Sequence, residues 1–414
     1  VHLSLPATII ATAPWAVPTL NQLFGDDMER AAGKYMILSG GAIAIVLSVF
    51  YSCRKPYSPK AISAGDVHYL VVEGVINPGS DLTIIKLSRT VKIDSKTSAN
   101  PESNAQVAVE SDDNGVYTLN ENGPGQYTFA GLNLDNSRKY RLRIKTSNGE
   151  EYLSDLVDVK ITPPIDSVGF NVLKDSLQVY VNTHDPTDKT RYYRWDFDET
   201  WQFHARYPSL YYSDGTKLLE RDVNHNIYYC YGSDSSPDIV LGSTAKLSHD
   251  VVYEGQISMI RGTSEKVERE YSILLRQYAL TEDGFKYWQI LKKNTEQLGS
   301  IFAVQPSELT GNVHCISNPL LPAIGYVSIC TVQSKRVFIT NYSFPDTWQP
   351  IYPYTCGIDS IKTNLYDNLI RPGSGLLALD PIGDYRNPSG YTATTVECAD
   401  CTIRGTTTRP DFWK

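Results

Sequence analysis

The chain has 414 residues, 41% of them hydrophobic and 20% charged, which are ordinary globular proportions and leave room for two or three domains. Its net charge is −8, from 38 cations and 46 anions dispersed without long blocks, and this argues against a nucleic-acid binder, which needs a basic patch. The 28 tyrosines, against 11 phenylalanines and 3 methionines, favour pleated, half-buried strands and wet interfaces, because each apolar ring ends in a hydroxyl that needs a partner.

The N-terminal part is organised around Met36 to Cys53. Arg30 and Lys34 precede an apolar run from Ile43 to Phe50, which stops at Ser52-Cys53. A positive flank, a short apolar core and a small residue before a cysteine have the layout of a lipoprotein export signal. A spanning helix needs roughly 20 mostly apolar residues, and here Arg54 and Lys55 follow at once. Cys53 is therefore expected to be lipidated and to open the mature chain; an uncleaved signal anchor with an ordinary Cys53 thiol is the competing reading. Translation is expected to start at Met28 or Met36. Residues 1–53 are thus read as leader and signal, and 54–66 as a Pro/Ser/Gly-bearing tether.

Residues 67–162 read as short strands at 69–74, 82–88, 106–110, 115–119, 126–129, 139–146 and 151–157. Turn formers separate them, notably Asn114-Gly115 and Asn148-Gly149, where a tight hairpin needs positive φ. Seven strands at this spacing predict an N-terminal β-sandwich of Ig-like kind. Asp112-Asp113-Asn114 reads as a turn, since no distant bidentate carboxylate completes a calcium loop.

Thr162-Pro163-Pro164 is a stiff break, and 163–414 is expected to form a second β-sandwich-like domain. Within 191–203, Tyr193, Trp195 and Phe197 alternate with Arg194, Asp196 and Asp198. Further strands are expected at 178–182, 238–241, 251–260 and 267–280, the last placing Val267, Tyr271, Ile273 and Leu275 on one face. At Thr281 the period changes. A capping threonine, acids in the first turn and Phe285, Trp288, Leu291, Thr295 and Leu298 at helical spacing predict one helix over 281–298. Its Tyr287 and Trp288 read as core packing. Strands at 323–331 and 336–340 precede a tail, 341–414, rich in Tyr, Pro and Gly, expected to lie on the second domain as long loops.

The chain carries none of the nucleophile-elbow, zinc-protease, phosphate-loop or dinucleotide motifs. His184-Asp185 and His249-Asp250 lack a nucleophile, and no His pair has metal-ligand spacing. Asp196, Asp198 and Glu199 place two carboxylates on one strand face, as a glycosidase would need. No cofactor and no metal are expected. Six cysteines after Cys53 suggest disulfides, with 15 possible connectivities; closure of Cys356 with Cys398 or Cys401 is preferred.

Five segments together, LVVEGVI with IIKLSRT, YYRWDFDETWQF, YSILLRQYAL through SIFAVQPSELTGNVHC, IGYVSIC with KRVFI, and CADCTIRGTTTRPDFW, resemble the Bacteroidota lipoproteins catalogued as domain of unknown function 4249. The resemblance implies an outer-membrane lipoprotein, anchored by acyl chains, that works with a TonB-dependent transporter, and the expected role is nutrient binding or uptake; no enzyme activity is expected, since no nucleophile, base and oxyanion donor can be assembled. Arg54, Lys55 and Lys60 stand where surface-exported relatives tend to be acidic, so extracellular and periplasmic facing both stay open. The expected interaction surface is Trp201, Tyr207, Tyr211, Tyr212, Tyr342, Trp348, Tyr352 and Tyr354, with internal packing as the competing reading. A surface adhesin or structural lipoprotein, and a carbohydrate-active enzyme using Asp196 and Asp198, are the alternatives.

Overall fold

The computed structural model describes residues 68–91, 100–296, 309–365, 367–371 and 373–413. Cys53, the tether and the last two residues of the expected helix lie outside the described residues. The protein is mainly β, arranged in several sheets.

Alternation builds the first body. Strand Leu82–Arg89 sends Thr83, Ile85 and Leu87 inward, and strand Lys139–Lys145 sends in Tyr140, Leu142 and Ile144. A hydrogen-bonded path runs from Glu151–Ser154 through Lys139–Lys145, Gln106–Ser111, Val116–Glu121, Gln126–Ala130 and Leu82–Arg89 to Leu70–Ile76. The hairpin signals hold: Asn114 has φ 70° and Gly149 φ 90°. Tyrosines supply the core with hydroxyls that find carbonyls, Tyr127 donating to Glu102 O at 2.9 Å and Tyr140 to Asp135 O at 3.1 Å.

The chain then returns. Val313–Cys315 pairs antiparallel with Glu151–Ser154 at one edge, and Ala323–Ile324 and Ser328–Ile329 pair parallel with Leu70–Ile76 at the other. A bridge between His314 and Pro322 joins the two, so the 11-stranded sheet is nearly closed, like a barrel. Closure depends on glycine. A Cβ on Gly325, at φ +145°, would stand 2.2 Å from Val72 O, and one on Gly311 would stand 1.9 Å from Gly325 O.

The second body is a sandwich. Ile165–Val172, Ser176–His184 and Val251–Arg261 form a three-stranded sheet. Against it lies a five-stranded sheet of Tyr192–His204, Tyr229–Ser235, Val240–Ser243, Glu270–Ala279 and Val332–Thr340. The expected inward residues, Tyr193, Trp195, Phe197, Val267, Tyr271, Ile273 and Leu275, share one buried core with Val179, Val181 and Ile257. Trp195 Nε1 donates to Gln277 Oε1 at 2.8 Å, and Gln277 Nε2 donates to Pro163 O and Thr183 Oγ1, so the buried amide joins both sheets to the proline linker.

Helix Glu282–Glu296 starts where expected, Thr281 Oγ1 accepting from Gly284 N at 3.2 Å. Phe285 packs on Tyr192, and Trp288 closes one side of a sandwich in which the Arg194 guanidinium lies 4.2 Å from the Tyr278 ring and 4.4 Å from the Trp288 ring.

The tail corrects the expectation of loops alone. Asp359–Lys362, Asn387–Thr395 and Leu376–Asp384 form a three-stranded sheet, whose core of Leu369, Ala378 and Ala393 includes Tyr211 from the hairpin Tyr211–Ser213 and Leu218–Glu220. Register shifts at Pro381 and Gly383 break its period, which is why it did not read as strand. Cys356 joins Cys398 within the tail, and Cys401 joins Cys230, a pairing the sequence reading did not contain. Cys315 and Cys330 are free and buried.

Candidate functional site

Strand Tyr192–His204 crosses the middle of the five-stranded sheet, and its two faces carry different chemistry. On the outer face, Arg276 Nε donates to Asp196 at 2.6 Å and Nη1 to Asp198 at 2.6 Å, with Arg194 3.4 Å from Asp196. The Arg276 contact holds the Asp198 carboxyl below its ordinary value. These two acids are thus bound by guanidinium groups on the sheet.

Glu199 points the other way. It continues the apolar series of Tyr193, Trp195 and Phe197, and is only 3% exposed. Its Oε1 receives the Lys266 ammonium and its Oε2 accepts from the Tyr271 hydroxyl at 2.8 Å. Burial first, and the neighbouring carboxylate second, push the Tyr271 hydroxyl far above its ordinary value, so it stays a donor. Lys266 also lies 3.7 Å from Asp234 and 4.8 Å from the Trp201 ring centre.

Glu199 and Lys266 sit at the wall of a 440 Å³ cleft on the open side of the sandwich, with Phe197 beside them. One wall is the consecutive run from Gln256 to Arg261, the edge of the three-stranded sheet; another is Pro237 and Asp238. This volume is within the range of small-ligand sites, roughly 300–1,000 Å³. Sequence reasoning missed Lys266 and Tyr271. Its available signal was Glu199 itself, a carboxylate in step with apolar residues, which belongs to the inner face and not with Asp196 and Asp198.

A second cleft of 300 Å³ involves His204, Glu268, Phe344, Trp348 and Tyr352. It brings together part of the expected aromatic surface: Phe344 stacks on Trp348 at 5.2 Å, and Tyr352 donates to Glu268 Oε1 at 2.9 Å. Tyr342 is 96% exposed nearby in sequence, and Tyr354 faces Arg404 at 5.7 Å. Trp201 and Tyr211 are buried, Tyr212 stacks on His225 at 4.1 Å, and Tyr207 is half-buried beside Arg206. Of the eight aromatics, Trp348 and Tyr352 therefore line a cleft, whereas Trp201 and Tyr211 serve internal packing.

The histidine pairs are surface contacts. His184 Nδ1 lies 2.8 Å from Asp166, and His249 Nδ1 3.1 Å from Asp188, whereas Asp250 turns inward to Tyr193 and Thr244. Among the described residues no group of three His, Cys, Asp or Glu side chains is placed to hold a metal ion.

The fold and these clefts define a disulfide-stapled, multi-sheet β protein whose concave sites are lined by mixed polar and aromatic groups. Residues 54–336 match the family described as Domain of unknown function (DUF4249), and the chain belongs to that family. A search of curated proteins finds no match. Among solved structures, a Salmonella alpha-2-macroglobulin mutant aligns at 11% identity with a TM-score of 0.17, over 79% of this chain and 16% of that one, a likeness too slight to bear on fold or function.

Proposed function

We propose that this protein is a lipid-anchored accessory component of the outer membrane that works with a TonB-dependent transporter in nutrient binding or uptake, and acts by binding rather than catalysis. The observation that carries the reading is an order along the chain: an export-type segment ends at Cys53, and the family match begins at residue 54. The two disulfides support it, since such bonds persist in oxidising compartments and are rare in the cytosol. An acyl anchor confines the body to the membrane surface and raises its effective concentration near a membrane partner, so modest interface affinity suffices. The engagement of Asp196 and Asp198 by Arg276 weighs against their use as a hydrolytic pair.

The test is metabolic labelling with an alkyne fatty acid, followed by extraction in mild detergent and identification of what travels with the protein. The reading expects Cys53 to be acylated and a large barrel to co-purify at stoichiometric amount. An unacylated chain, or an acylated one that travels alone, sinks it; the second result favours an adhesin or structural lipoprotein.

A further inference from the structure

The three-stranded sheet of the sandwich treats its two edges differently. At Ile165–Val172 the edge is blunted, because Lys335 Nζ donates to the carbonyls of Ile165 at 3.4 Å and Asp166 at 2.8 Å. At Val251–Arg261 no strand pairs with the outer side among the described residues. The irregular part of this strand runs up to Ile257: one register shift falls between Gln256 and Ser258, and another between Gly255 and Val252, where Glu254 has φ 47°. From Ser258 to Arg261 the pairing with Ser176 to Val179 is regular, so the opposite side presents a regular row of main-chain donors and acceptors. That regular row forms most of one wall of the 440 Å³ cleft, which begins at Gln256.

Side-chain chemistry selects the occupant. Glu199 accepts one bond on each oxygen, which leaves acceptor capacity on a buried carboxylate in the cleft wall. Asp238 in the other wall is exposed and has no partner among the described residues. Of the two cations, Lys266 is already engaged by Glu199 and Asp234. Arg261 stands exposed at the strand's end. We propose that this cleft is a docking site for an extended segment of a partner protein that adds as a fourth strand beside 258–261 and sends a lysine or arginine side chain toward Glu199 and Asp238. The inference goes beyond the transport reading and holds whichever protein supplies the segment.

The test uses the full chain, panned against displayed random twelve-residue peptides, with enriched sequences then synthesised and titrated by fluorescence anisotropy. Enriched peptides are expected to place a lysine or arginine among β-branched residues and to slow backbone hydrogen exchange at 258–261. Asp238→Asn, an exposed change that leaves the fold alone, is expected to weaken them about 3- to 5-fold. Glu199→Gln is expected to weaken them about 10-fold or more. Absence of enrichment, protection mapped elsewhere, or equal binding by Asp238→Asn overturns the proposal. So does protection of 258–261 on concentrating the protein alone, which assigns the edge to a second copy of this chain.

Discussion

Replacing Cys230 and Cys401 together by alanine tests the link that holds the C-terminal segment to the sandwich. The pair spans 171 residues. In the chain-entropy treatment a loop of that length removes about 5 kcal/mol of unfolded-state freedom, and measured losses for native disulfides run from about 2 to 5 kcal/mol. Alanine is the better replacement than serine, since both positions are fully buried and a hydroxyl there would need a partner. The segment beyond Cys401 makes further contacts, with Trp413 Nε1 donating to Glu270 at 2.9 Å, Arg404 pairing with Glu265, and Tyr231 exchanging main-chain bonds with Thr406. These survive the substitution, so the loss should fall below the entropic ceiling, at about 3 kcal/mol. Urea unfolding followed by tyrosine and tryptophan fluorescence measures it, and reduction of the unaltered protein should cost more, because it also opens Cys356–Cys398. A double variant as stable as the parent, with unchanged m-value, would refute the covalent link.

Arg194→Ala removes a guanidinium held between Tyr278 and Trp288 and should cost about 2 kcal/mol in urea unfolding, with Arg194→Lys retaining only part because an ammonium lacks the flat face. At Asp185, burial works to raise the pKa, but bonds from Thr187 and Thr190 outweigh it and hold the carboxyl at about 2, against 3.8 ordinarily. A depressed carboxyl stabilises the fold above its unfolded pKa and loses that contribution as pH falls through its folded one. Asp185→Asn should therefore cost about 1 to 2 kcal/mol at pH 7 and converge with the parent between pH 4 and pH 2 in acid-dependent denaturant titrations. The Cys330 thiol, pushed up to about 12 by burial, and the buried Cys315 should both resist iodoacetamide in the native protein and react once it is unfolded, as read by peptide mass spectrometry.

Strands whose faces differ in polarity were legible, and the rest was not, for reasons visible in particular residues. Tyr193, Trp195 and Phe197 announced both their strand and its buried side, and the Asn-Gly pairs at 114 and 148 announced their turns. Val313–Cys315 has only three residues, too few for a period, yet it seals one edge of the first sheet. Its position is decided by partners some 160 residues away in the sequence, such as Ser154 opposite Val313, and no local pattern carries that information. The candidate site failed in the same manner. Glu199 was visible as an acid, but its partners Lys266 and Tyr271 become neighbours only when strand Glu270–Ala279 pairs with strand Tyr192–His204.

The family match ends at residue 336, inside strand Val332–Thr340, so it takes in the nearly closed first sheet and almost all of the sandwich but not the tail. The tail nevertheless contributes to the sandwich surface that matters most. Ile351 N bonds Thr263 O at 2.9 Å, and the Trp348 ring lies so close over Gly262 that a Cβ there would come within 2.5 Å of it. Gly262 and Thr263 directly follow Arg261 at the end of the open edge, and Thr263, Ser264 and Lys266 belong to the wall of the larger cleft. The same turn therefore carries the Lys266 that meets Glu199 on one side and supports the aromatic loop of the smaller cleft on the other. Two sites that look separate on the surface share one short piece of backbone, and Gly262→Ala, which forces Trp348 to move, should disturb both while leaving the first sheet intact. Hydrogen exchange resolved by segment separates the outcomes: faster exchange across 256–268 and 344–352 with 70–158 unchanged fits this coupling, and a change confined to 344–352 breaks it.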